Sequence, residues 1–215
     1  MIQVSELSHT TEDAIKVLEG VHLHVDRGEL VVLLGAAAAG KSILLLLLSA
    51  QLPPQSGQVL VLGRNIPRLS REKAADLRRR IGFLPQGFTP LRRTVLGQVA
   101  FKLRALGDFR EKAEERALVA LEQVGLAARA GAPAEELAPL DRVRLGLALA
   151  VANEPSLLLV DEPFADLTEH EREDALALLF QLRRSGITSL VATRGPVPPG
   201  AGRILHLADG KVTGA

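Results

Sequence analysis

A chain of 215 residues with 47% hydrophobic residues carries enough apolar material for one α/β domain with an insertion, and wholesale disorder is excluded. Lys and Arg number 26 against 25 Asp and Glu, so no polyanion-binding bias follows from net charge. The absence of Cys excludes disulfides and thiolate metal sites, five scattered His argue against a zinc site, and the lack of Trp and Tyr argues against a base-stacking nucleic-acid platform.

In chain order, the amino-terminal stretch lacks a basic region followed by an apolar one, so it does not read as a signal peptide. Val21–Asp26 alternates like a strand, and Leu30–Leu34 is a continuous apolar run ending at Gly35, the pattern of a strand buried on both faces. A helix is expected over Ser42–Gln51, stopped by Pro53-Pro54. Val59–Leu62 reads as a strand, residues 70–80 as a helix and Ile81–Leu84 as a short strand. The middle of the chain is helical. Asp108 with Glu111 suggests a capping-box start to a helix that Gly125 ends, and a further helix is expected from about Asp141 to Val151. Strands return at Leu157–Val160, Thr188–Ala192 and Arg203–Leu207, with Asp209-Gly210 as a hairpin turn. Between the first two, Thr168 and Glu171 form a capping box opening a helix that Gly186 closes. The longest purely apolar runs, Ile43–Leu48 and Leu147–Ala152, have six residues each, far short of a bilayer span.

Two motifs carry chemistry. Gly35-Ala36-Ala37-Ala38-Ala39-Gly40-Lys41-Ser42 has the spacing of a phosphate loop, between a predicted strand and a predicted helix. Such a loop curls backbone N–H groups around an anion, and the following helix adds the positive end of its dipole. Lys41 would reach the β- and γ-phosphates, and the Ser42 hydroxyl would hold Mg²⁺. The alternative is an ordinary strand–loop–helix joint with a surface lysine. The second motif, Asp161-Glu162 at the end of Leu157–Val160, is an acidic pair leaving a buried strand. Asp161 would support Mg²⁺ and Glu162 would orient or deprotonate a water; the alternative is two solvated acids.

Together these residues resemble the ABC-type ATPases over nearly the whole chain, and within them the cell-division class represented by FtsE. Arg78–Gln86, Arg93-Thr94-Val95 and Val99-Ala100-Phe101 are similar to that family's Q-loop region, and Val151–Pro155 is similar to the segment before its acidic strand. The resemblance implies a P-loop fold with a mainly parallel core sheet, a core of residues 1–86 and 154–215, and a helical subdomain over about 87–153. It implies ATP and Mg²⁺ as cofactors, held by residues 35–43, with Gln86 touching Mg²⁺ or the attacking water near a membrane partner. That partner would be an integral membrane protein, FtsX-like or otherwise permease-like, holding the chain at the cytoplasmic face of the cell membrane. A homodimer or a heterodimer with another ABC subunit is expected, and no nucleic acid: Arg78-Arg79-Arg80 reads as a solvated helix end.

The departures from the family pattern are specific. Its middle loop glycine is Ala38 and its final threonine is Ile43; its Leu-Ser-Gly-Gly-Glu signature falls on Leu137-Ala138-Pro139-Leu140-Asp141. Pro139 has no N–H to donate and Leu140 adds bulk where glycine permits close approach. The switch-histidine position holds Arg194, the D-loop aspartate position holds Thr168, and the adenine-stacking aromatic falls near Thr11. Gly195–Gly200, with three prolines, reads as a short stiff linker. Two functions follow: an ATP-driven subunit of a membrane complex, or a degenerate, non-hydrolysing relative that binds nucleotide weakly or not at all and has a structural or regulatory role.

Overall fold

The computed structural model describes residues 1–214. In chain order the elements are β1 (Ile2–Thr10), β2 (Lys16–Val25), β3 (Leu30–Leu34), α1 (Lys41–Leu48), β4 (Gln58–Val61), β5 (Arg64–Asn65), α2 (Arg71–Arg79) and β6 (Ile81–Leu84). There follow α3 (Val95–Ala105), α4 (Arg110–Gln123), α5 (Pro139–Val151), β7 (Leu157–Asp161), α6 (Glu169–Arg184), β8 (Thr188–Thr193), β9 (Arg203–Ala208) and β10 (Lys211–Thr213). The strands form two sheets. One is six-stranded in the order β10-β9-β3-β8-β7-β6, parallel except for the β9–β10 hairpin. The other is antiparallel, in the order β2-β1-β4-β5.

The parallel sheet divides the apolar interior in two. Along β3, Leu30 and Val32 join a cluster with α3–α6, while Val31 and Leu33 face α1 and the antiparallel sheet. β7 alternates in the same way: Leu158 and Val160 lie in the first cluster, Leu157 and Leu159 in the second. This two-residue period is the pleat of a strand covered on both faces, and it explains the unbroken apolar runs.

Several expected boundaries move for local reasons. The helix anticipated at Asp108 begins at Arg110, with Phe109 at its N-cap and no side-chain cap. Asp108 instead accepts a hydrogen bond from Arg116 at 2.6 Å, which removes it from the capping role. α1 ends at Leu48, with Ser49 as its C-cap, before the two prolines are reached. α5 starts two residues earlier than expected, with Pro139 in the first turn, where its missing N–H leaves no intrahelical bond unmade. The capping box of Thr168 and Glu171 forms in full, and Asp209-Gly210 turns the β9–β10 hairpin as expected.

Candidate functional site

The loops that matter leave the carboxyl ends of parallel strands, where open α/β sheets place their ligands. The phosphate loop follows β3, Gln86 follows β6, Asp161 and Glu162 close β7, and Arg194 follows β8. Register aligns these ends: Leu34 lies opposite Thr193 and Asp161 opposite Ala192.

Within the loop, Gly40 has φ 99°, and a Cβ there would lie 2.9 Å from the Val17 carbonyl oxygen. Both the backbone angle and the space require glycine. Ala38 is also left-handed, at φ 60°. That is the position where the resembled family carries glycine, and an L-residue there stores about 1–2 kcal/mol. Lys41 opens α1 and is only 5% exposed. Its Nζ donates to the carbonyl oxygens of Gly35 (2.8 Å) and Ala36 (2.9 Å) and pairs with Glu162 Oε1 at 3.2 Å.

Glu162 is itself buried, with φ 51°, and its N–H donates to the Ala192 carbonyl at 2.8 Å. Its Oε2 accepts the Arg194 backbone N–H at 3.0 Å, and Arg194 Nε lies 3.5 Å from Oε1. Asp161 is 3% exposed, and its Oδ1 has no hydrogen-bond partner among the described residues. Burial raises the Asp161 pKa above the ordinary carboxylate value, opposed by the nearby Ser42 hydroxyl and by Lys41. A cleft of about 310 Å³ brings together Val17, Ala37–Ile43, Gln86, Glu162 and Arg194. Gly35, Ala36 and Asp161 do not line it. Val17 escaped the sequence reading, because its place depends on how β2 passes beside the loop, and no local motif marks that.

The residues at the resembled signature do not join this cleft. Pro139 and Arg142 of α5 border a second hollow of about 230 Å³ that is also lined by Asp161 and Glu162. Ala138 caps α5 with no side-chain bond, Asp141 pairs with Arg144 at 3.0 Å, and Leu140 packs against the first core cluster. Thr168 is occupied in its capping box. Among the described residues no aromatic ring lines the cleft, and the Thr11 turn is closed by its own bond to Ile15.

A mainly parallel sheet with a phosphate loop after one strand and an acidic pair after another defines a P-loop nucleotide-binding cassette. The family model described as ABC transporter matches residues 18–165. The chain belongs to that family. Its relatives include the cell division ATP-binding protein FtsE of Escherichia coli K12, 34% identical over the full length of this chain and 98% of the relative. They also include the methionine import ATP-binding proteins MetN of Carboxydothermus hydrogenoformans and MetN 2 of Rhodococcus jostii, each 36% identical. These alignments take in 90% and 97% of this chain but only 58% and 63% of the relatives, so the chain spans about six-tenths of their length. Among solved structures, the bacterial ABC transporter cassette MJ0796 matches with a TM-score of 0.86 at 28% identity, covering 99% of this chain and 96% of that one. The Clostridium perfringens protein cbiO1, part of the ABC transporter complex cbiONQ, matches at 0.89 and 26%, covering 99% of this chain and 86% of that one.

Proposed function

We propose that this chain is the nucleotide-binding subunit of a membrane complex, coupling the binding of MgATP to an integral membrane partner of the FtsX-like or permease-like kind. The observation that carries the reading is Lys41, buried at the start of α1 and aimed back across a phosphate loop whose geometry requires Gly40. Backbone N–H groups of residues 36–43 would hold the phosphates, and Lys41 would meet the β- and γ-phosphates.

The orphaned Oδ1 of buried Asp161, beside Ser42, fits a hard cation that prefers oxygen ligands. Ser42, Gln86 and Asp161 would therefore hold Mg²⁺, which when bound draws charge from the phosphate oxygens. Glu162 would orient the attacking water, with Arg194 beside it.

Among the described residues no helix is long and apolar enough to cross a membrane. Leu91, Phe101, Leu106, Phe109, Leu118 and Val119 are exposed in and around α3 and α4. That apolar surface supports a membrane partner as the anchor at the inner face of the membrane.

A second reading, a non-hydrolysing subunit with a structural or regulatory role, is favoured by the start of α5. Pro139 offers no N–H and Leu140 adds bulk where glycine would permit a partner's γ-phosphate to approach. Pairing with an intact ABC subunit would complete one site and leave the other inert. Calorimetric titration with MgATP, alongside Lys41→Ala, tests the first reading: micromolar binding lost in the variant is expected, and no binding by the native chain overturns it in favour of a scaffold that keeps only the fold. Turnover that appears with the membrane partner and vanishes in Glu162→Gln selects the first reading; its absence selects the second.

A further inference from the structure

The Lys41 ammonium is already partnered: it donates to the Gly35 and Ala36 carbonyls and is ion-paired with Glu162 Oε1 at 3.2 Å. The two carbonyls belong to the loop backbone, so the partner that can be exchanged is the Glu162 carboxylate. A phosphate and this carboxylate compete for one cation, and they repel each other. The side chains of Lys41 and Glu162 are only 5% and 4% exposed, so leaving either charge without a partner is strongly unfavourable.

Arg194 supplies the way out. Its backbone N–H already holds Glu162 Oε2 at 3.0 Å, and its Nε stands 3.5 Å from Oε1. The Arg194 side chain is 47% exposed and can therefore follow the carboxylate as it moves. A neutral imidazole at this position would bring one N–H and no charge.

We infer that Glu162 is an internal anion competing with phosphate for Lys41, and that Arg194 is the positioning residue that takes it over when a phosphate arrives. The inference rests on the nucleotide-binding reading above and gives the arginine a task that the residue it replaces could not perform. Phosphate affinity is then set by an exchange of partners: Lys41 leaves Glu162 for the nucleotide, and Glu162 settles on Arg194.

MgADP is the suitable probe, since it carries the phosphate that Lys41 meets and cannot be turned over, so tighter binding cannot come from blocked hydrolysis. Titration calorimetry on the native chain, Glu162→Gln, Arg194→Ala and the double variant reads the exchange, with circular dichroism confirming that each is folded. Glu162→Gln, which nearly preserves shape, is expected to tighten MgADP about tenfold by releasing Lys41. Arg194→Ala is expected to weaken it about tenfold, with Arg194→Lys restoring part of the loss. In the Glu162→Gln background, Arg194→Ala is expected to change affinity less than about twofold, because no displaced charge remains to be received. Equal affinities for the native chain and Glu162→Gln overturn the inference and leave nucleotide binding intact. A full Arg194→Ala effect in the Glu162→Gln background also overturns it, since the arginine would then act on the phosphate directly. No heat from any of the four proteins overturns the nucleotide-binding reading and this inference with it.

Discussion

At the scale of single residues, two positions carry free energy that a measurement can recover. Ala38 sits at φ 60° in an exposed loop, where glycine would be unstrained. Ala38→Gly is expected to raise unfolding stability by about 1 kcal/mol, read from urea denaturation. Lys102 is the second. Its ammonium donates to the Leu149 carbonyl and, at 2.7 Å, to Asn153 Oδ1, while Asn153 Nδ2 donates to the Arg79 carbonyl. Burial pushes its pKa down to about 8 from the ordinary 10.5. Between these values the unfolded chain binds more protons than the folded one, so stability rises as pH increases through that interval. The rise is expected to reach at most about 3 kcal/mol, reduced by the two acceptors that favour the charged form. Denaturation midpoints measured from pH 7 to 10.5 should show it in the native chain and lose it in Lys102→Met.

Between elements, α5 lies against β6 at Gly146, where a Cβ would meet Leu84 Cδ1 inside contact distance. Gly146→Ala is expected to lower stability by about 1–3 kcal/mol through overpacking, visible as a lower thermal midpoint. Strands buried on both faces were the most legible elements: Leu30–Leu34 and Ile81–Leu84 coincide with β3 and β6 because a continuous apolar run needs no partner strand to be recognised. β1 was not legible. Its pairing with β2 shifts register between Val4 and Leu7, with Glu6 at φ 55°, so the alternation that marks a strand is broken. α3 also went unread as a helix, since Thr94 caps it only once Val95 and Leu96 bond to carbonyls at 132 and 130, far along the chain. At the site, the two motifs named the phosphate loop and the acidic pair. The bond between Glu162 and the Arg194 backbone joins residues 32 positions apart, and β-strand register alone brings them together.

For the whole molecule, the start of α5 is where the proposed function bears on assembly. In the resembled family a cassette dimer sandwiches nucleotide between the phosphate loop of one subunit and the signature of the other; on the second reading Pro139, without an N–H, and Leu140, with its added bulk, oppose that contact. Sedimentation velocity of the isolated chain is therefore expected to show no MgATP-dependent dimer. The combined change Ala138→Ser, Pro139→Gly and Leu140→Gly should produce one; a dimer in the native chain would refute this. The parity of the parallel sheet has a further consequence. Each buried strand sends alternate residues into separate interiors, so the fold's stability rests on those residues. Among the positions where the chain departs from the family pattern, Ala138, Pro139, Thr168 and Arg194 are exposed and belong to neither interior, whereas Leu140 and Ile43 each pack against one. Substitutions at the exposed sites drift almost free of selection for folding, so a lineage can trade away or refashion its chemistry for a long time while the scaffold stays intact.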